Sequence, residues 1–525
     1  MKLYRAFATV GGLTLVSRVL GFVRDILIAA GLGSGWIADA FLVAFRFPNL
    51  FRRLFGEGAF NAAFVPLFAK RIEGEGPDRA RGFAEEALAG LAFVVLALSI
   101  LAIVAMPWLM YLLAPGFAEA PRKFDLAVTL SQIAFPYLLC MSLVALLSGV
   151  LNGLGRFTVA AAAPILLNIV LIGALALIMG LGIANTPEAG LILAVGVTIA
   201  GIVQLAALWV AARRAGMRLR LRAPAYSADM QHLVALGVPG LVSGGVTQIN
   251  IVVGTIIASL QAGAVSYLYY ADRLYQLPLG IVGVAVGVVL LPELSRNLRA
   301  GDRAAAMASQ NRSLEFALLL TIPAAVALFV AAEPIVRVLF ERGAFTAADT
   351  PATASALAAF AAGLPAFVLI KVLQPAFFAR EDTRTPMRLA MVNLLVNAVG
   401  SALLFFAFQR AGLQGHVGIA IATTLAGWIN AAMLWRALEA RGELALDRRL
   451  GWTVPMIVVA SLAMGVVLWL AGAWLAPHLA ASMPSLVKAA ALAALVGAGA
   501  LVYATLIVAT GVVRPGQIRQ LVKRG

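Results

Sequence analysis

The sequence of 525 residues holds one cysteine, Cys140, which excludes a disulfide framework and thiolate metal clusters. Its three histidines, His232, His416 and His478, are too dispersed to suggest a metal site, so neither a metal nor another cofactor is expected. Only 12% of residues are charged while 62% are hydrophobic, which is more apolar surface than a soluble core could bury. No soluble domain fits anywhere. Acidic residues are scarce, 24 against 40 basic, for a formal charge of +16. In so apolar a chain that excess first reports which loops stay in the cytoplasm, and nucleic acid is not an expected partner.

Long apolar runs are what the chain has instead. Taking about 20 residues per crossing, we count fourteen spans, centred near residues 18, 45, 98, 138, 170, 200, 246, 281, 320, 365, 397, 424, 463 and 499. The expected fold is an all-α polytopic membrane protein. Basic residues crowd every second connection, from Lys70, Arg71, Arg79 and Arg81 through Arg213, Arg214, Arg218, Arg220 and Arg222 to Arg436, Arg441, Arg448 and Arg449. The opposite connections are poor in them. With Lys2, Arg5, Arg514, Arg519, Lys523 and Arg524 in the tails, both termini are expected in the cytoplasm. The start resembles a signal peptide, but its apolar run continues into Arg18 with no small-residue cleavage site, so it reads as a retained first helix.

An internal repeat emerges when punctuation is aligned rather than hydropathy. Pro66 matches Pro292, Pro107 with Gly116 matches Pro334 with Gly343, and Pro136 with Asn168 matches Pro365 with Asn397, at shifts of 226 to 229 residues. The expected organisation is two pseudo-symmetric six-helix lobes, 1–225 and 226–445, followed by two further helices and a tail in 446–525. An even number of crossings between the copies gives them one orientation, with a cavity between them.

The stretch from Ser17 to Arg53 puts charge where a membrane least tolerates it. Arg18, Arg24, Arg46, Arg52 and Arg53 stand in otherwise apolar sequence. Each central arginine facing lipid would cost about 2.5–3.5 kcal/mol, and three about 8–10 kcal/mol. They are therefore expected to face a wet interior, hydrated, paired with Asp25 or Asp39, or receiving an anion. Asp39, Arg46 and Arg53 recur every seven residues on one helix face, as do Ser17 and Arg24. Pro48 is expected to break the second helix midway, and Gly31, Gly33 and Gly35 leave a tight turn before it. In the second copy Asp272 and Arg273 enter the corresponding span, so both halves supply a cation. Guanidinium forks suit phosphate or diphosphate oxygens. The last two spans carry almost no polar residues and offer an apolar groove.

Five runs carry a family resemblance: SRVLGFVRD at 17–25, DAFLVAFRFPNLFRRLFGEGAF at 39–60, APGF at 114–117, YYADRLYQLPLG at 269–280 and KVLQPAFFAREDTRTP at 371–386. Over essentially its whole length the chain resembles the MurJ (MviN) lipid II flippases of the multidrug/oligosaccharidyl-lipid/polysaccharide exporter superfamily. The resemblance implies fourteen helices, alternating access, and transfer of an undecaprenyl-diphosphate-linked peptidoglycan precursor to the outer leaflet of the bacterial cytoplasmic membrane. It implies no enzymatic reaction. By the same resemblance Arg18, Arg24, Asp39, Arg52, Arg53 and Arg273 fall on functional positions, with Ser17, Asp25, Asn49, Glu57, Asp272 and Gln276 as secondary candidates. Gln276 stands where relatives carry an acidic residue, and Asn397 where some carry a carboxylate, which argues against sodium coupling and leaves the membrane potential as the expected driver. A monomer in contact with membrane lipids is expected, with cell-wall synthesis proteins as candidate partners. A flippase for another polyprenyl-linked glycan stays open. A drug/cation antiporter would want acids and aromatics where these arginines stand, a transferase would need a carboxylate cluster, and a scaffold would tolerate loss of the arginines.

Overall fold

The computed structural model describes residues 2–52, 59–225 and 227–513. Regular structure within them is helical, apart from an isolated bridge between Arg342 and Phe345. Ten candidate spans among the described residues are long and apolar enough to cross a membrane, and the chain is a polytopic membrane protein. Each span centre read from the sequence lies inside a helix. Two helices outside those ten carry the charged residues that stood out in the sequence. α1 (Lys2–Leu32) carries Arg18, Arg24 and Asp25, and α2 (Trp36–Arg52) is 17 residues long with Asp39 and Arg46 inside it.

One expectation fails at α2, which runs through Pro48 to Arg52 instead of breaking there. A proline ring removes one bond to the carbonyl four residues back, and a helix held by its neighbours can carry that loss. The turn before it forms as expected: α1 ends at Leu32, and Gly33 adopts φ 69°, a left-handed conformation open to glycine at little strain. Short helices that hydropathy alone did not separate are α3 (Ala59–Glu75), α5 (Met106–Leu113), α6 (Pro121–Ala134) and α13 (Ala332–Phe340).

The chain divides into two units, residues 1–266 with 342–345, and residues 267–341 with 346–525. In the first, α4 (Pro77–Val104) packs on α7 (Tyr137–Gly153), α7 on α9 (Pro187–Arg214), and α8 (Thr158–Gly180) on both α9 and α1. In the second, α12 (Arg303–Val330) packs on α14 (Asp349–Phe378), α14 on α16 (Gly415–Ala440), and α15 (Arg384–Arg410) on α16. The order of packing is the same. Then α17 (Arg448–Leu475) lies on α12, and α18 (Ser485–Ala509) on α17. The outer face of this pair is apolar, with Val459, Leu462, Val466, Trp469 and Leu501 all more than half exposed.

Two glycines that the sequence pairs across the repeat have matching surroundings within the first unit. A Cβ on Gly116 would overlap the carbonyl oxygen of Ser259, at the end of α10 (Ala228–Ala258). A Cβ on Gly343 would overlap the carbonyl oxygen of Ala30, at the end of α1. Backbone approaches backbone too closely for any side chain. The Ala344 N–H donates to the Ala30 carbonyl at 2.8 Å, and the Gly116 N–H to the Ser259 hydroxyl at 3.1 Å.

Buried glutamates anchor the connections that follow α9 and α16. Glu85 of α4 accepts the Arg220 N–H at 3.0 Å and pairs with Arg222 Nε at 2.7 Å. Its counterpart in α12 is Glu315, which receives Arg449 Nη2 at 3.0 Å and Arg312 Nη1 at 2.7 Å. These acids escaped sequence reading because each looks like an ordinary charge in the first half of a helix.

In the second unit the connection between α14 and α15 is also tied down. Asp382 accepts the Thr385 N–H at 2.9 Å and Arg441 Nη1 at 2.9 Å, while Arg380 Nε lies 3.2 Å from Glu443. The Thr385 hydroxyl and N–H, with Arg441 behind them, hold the Asp382 carboxyl down to about 2. Its folded value is therefore below the unfolded one, about 3.9. The stability it contributes is present above pH 4 or so and is lost as pH falls toward 2. Asp382→Ala is expected to cost about 1 kcal/mol at pH 7, as loss of a helix-start acceptor does. The gap to the parent should narrow when thermal unfolding is repeated below pH 4; a gap independent of pH would contradict this.

Candidate functional site

About two turns before the end of α1, Arg24 is 8% exposed and its guanidinium is bonded on three sides. Its Nε and Nη2 donate to Asp25 Oδ1 at 3.1 and 2.7 Å, and its Nη1 donates to Asn168 Oδ1 of α8 at 2.9 Å. Asn168 Nδ2 in turn donates to the Ser17 carbonyl at 2.9 Å. Adjacent residues leave a helix about 100° apart and do not normally meet. Here the long arginine side chain curls back to reach its neighbour. Phe45 of α2 lies 5.9 Å from the guanidinium carbon. Asn168, which the sequence singled out as part of the repeat, proves to be the residue that aims the arginine.

Asp39, in the first turn of α2, is fully buried. Oδ2 accepts Lys123 Nζ at 2.7 Å and the Gly263 N–H at 2.9 Å, and Oδ1 accepts the Ser266 N–H at 3.0 Å and its hydroxyl at 2.9 Å. Lys123 Nζ also sits 3.9 Å from the centre of the Phe117 ring, in the APGF run. A carboxylate taken out of water is tolerable only when its lone pairs are met, and these donors meet them. Sequence reading missed Lys123 because no spacing rule links positions 84 residues apart.

About two and nearly three helical turns beyond Asp39 come Arg46 and Asn49. Arg46 Nη1 donates to Thr255 Oγ1 of α10 at 2.6 Å, and Asn49 is half-buried. Arg18 is exposed on α1 and has no ion pair among the described residues. Arg53 and Glu57 lie outside the described residues, and Arg52 is placed only as the last residue of α2. Within the first unit, then, Ser17, Arg24 and Asp25 come together around Asn168, while Asp39 is tied instead to the start of α6 and to residues 263–266.

The second unit holds the remaining candidates on α11 (Ala264–Arg299). Arg273 lies with its guanidinium carbon 4.6 Å from the centre of the Tyr269 ring, one turn earlier. Gln276 Nε2 donates to the Asp272 carboxylate, also one turn apart. Where an acid would repel Asp272, the amide of Gln276 satisfies it. Among the described residues no group of three or more His, Cys, Asp or Glu comes together to hold a metal ion.

The family model described as "Lipid II flippase MurJ" matches residues 28–488. A "Probable lipid II flippase MurJ" of Rhizobium meliloti (strain 1021) is 49% identical over 526 residues, covering 100% of this chain and 97% of the relative. The "Lipid II flippase MurJ" of Burkholderia cenocepacia is 36% identical over 451 residues, covering 84% of this chain and 85% of the relative. The solved structure "Lipid II flippase MurJ, inward closed conformation" is similar with TM-score 0.77 and 26% identity over 95% of this chain and 98% of that one. An inward-facing multidrug resistance MATE family transporter, at 15% identity, TM-score 0.65 and coverage of 81% and 95%, is similar in fold. A full-length match at these identities, on a chain whose α1 buries a bonded arginine, leads to one conclusion: the chain belongs to the lipid II flippase MurJ family, a family of transporters.

Proposed function

We propose that this chain moves lipid II from the inner to the outer leaflet of the bacterial cytoplasmic membrane by alternating access. A diphosphate cannot cross hydrocarbon unaided, since burying its charge without partners costs several kcal/mol. The observation that carries the reading is the guanidinium of Arg24, buried on α1 yet held by a carboxylate and an amide that an incoming anion could replace. Asp25 offsets the cation while the site awaits substrate, and a diphosphate oxygen takes its place on loading. Arg18, Arg52, Arg53 and Arg273 complete the head-group set. Asp39 serves it by holding α2 through Lys123 and Ser266, because a carboxylate would repel the anion directly.

The finer architecture belongs to the same proposal: fourteen spans, lobes over 1–225 and 226–445 with two helices after them, and both termini in the cytoplasm. The repeated packing order and the matched surroundings of Gly116 and Gly343 support the two-lobe reading. The polyprenyl tail would lie on the exposed apolar face of α17 and α18. Depleting a cell's own flippase and supplying this chain tests the whole proposal. Lipid II should then become accessible outside. Its retention inside, with the chain well expressed and inserted, would remove the assignment to lipid II and leave a different polyprenyl-linked glycan as cargo.

A further inference from the structure

At one membrane boundary of the first unit a cleft of about 560 Å³ opens between the turn joining α7 to α8 and the last turns of α9. Arg156 and Arg214 line it, with Thr158, Phe157, Ala207 and Val210 among its walls. Both arginines are exposed, and neither has an ion pair among the described residues. The turn itself is rigid: the Arg156 N–H donates to the Leu151 carbonyl at 2.8 Å, and Gly155 takes φ 71°.

The second unit shows what this place looks like when the chain supplies its own anion. There the turn from α14 to α15 meets the end of α16, Asp382 pairs with Arg441 at 2.9 Å, and Arg380 lies 3.2 Å from Glu443. The first copy reads Gly153-Leu154-Gly155-Arg156-Phe157 at its turn and has no acid to give. Two positive charges thus face a cleft with no counter-charge paired to them among the described residues.

From the cleft an apolar track leads along α9. Val210, Val203 and Ile199 are 46%, 37% and 46% exposed and stand 4, 11 and 15 residues before Arg214, within about 60° of one face. Val210 to Ile199 covers about 16 Å, half of a hydrocarbon core about 30 Å thick. A cationic head-group cleft continued by one leaflet's depth of apolar surface matches one class of ligand. We infer that the cleft holds the head group of an anionic glycerophospholipid, its phosphate between Arg156 and Arg214 and an acyl chain along α9. Only the name of the leaflet, cytoplasmic, rests on the orientation proposed above. Two charges without acids select a net-negative lipid over a zwitterionic one.

The full chain in detergent, titrated with dioleoylphosphatidylglycerol and followed by native mass spectrometry, tests this. The parent should hold that lipid about ten-fold more tightly than dioleoylphosphatidylcholine, and Arg156→Gln with Arg214→Gln should erase the preference. Arg213→Gln, one residue outside the lining, should keep it. A wild-type arm avoids any folding defect: phosphatidylglycerol with a photoreactive acyl chain should label residues 199–214. Equal binding of the two lipids, a double variant that binds like the parent, labelling elsewhere, or displacement by glycerol phosphate at comparable concentration would each overturn the inference.

Discussion

Asp39→Ala is expected to destabilise the folded chain by about 3–5 kcal/mol, because it strands Lys123 in the interior with its counter-charge gone. Lys123 is 6% exposed, and the Gly263 and Ser266 N–H groups lose their acceptor at the same time. Burying an unpaired cation is the larger of these losses. Adding Lys123→Met to Asp39→Ala should therefore recover a good part of the lost stability, since a thioether against Phe117 needs no anion. Thermal unfolding in detergent of the two single variants and the double variant gives the coupling directly. A double variant no more stable than Asp39→Ala would show that the ion pair is not what holds this corner.

Arg24→Ala should reduce transport on the order of 30-fold or more, the equivalent of at least about 2 kcal/mol for removing one partner of a buried, hydrogen-bonded charge pair. Stability is a confounding route to the same loss, because the substitution leaves Asp25 buried without its cation. The variant Arg24→Ala with Asp25→Asn separates the two. If Arg24 matters only for packing, neutralising Asp25 restores lipid II accessibility in the depleted cell; if the guanidinium receives the head group, transport stays lost. Arg24→Lys keeps a charge without the planar fork and should fall between the extremes. Full transport by Arg24→Ala at parental expression would sink the proposed role.

Much of this architecture was legible from composition, since apolar runs of membrane length leave helices as the regular structure with every backbone group paired internally. Mid-span arginines were legible for the same reason: hydrocarbon makes their presence informative. What they touch was legible only in part. Pairing with Asp25 was among the expectations for these arginines and Arg24 shows it, whereas Lys123 reaches Asp39 through tertiary packing that no local period encodes. Pro48 shows the opposite failure, a strong local signal for a break overruled by α2's packing on α6 and α9. Glu85 and Glu315 became recognisable once the two packing orders were compared, because each answers an arginine from a connection far along the chain.

The seating of Gly116 on Ser259 and of Gly343 on Ala30 constrains how the protein can cycle. Each is a fastening of main chain to its neighbour, with one hydrogen bond apiece worth about 1 kcal/mol net. A fastening that weak resists separation with little more than thermal energy. Apart from the Ser259 hydroxyl it depends on no side chain, but at the glycines one added methyl would jam the catch.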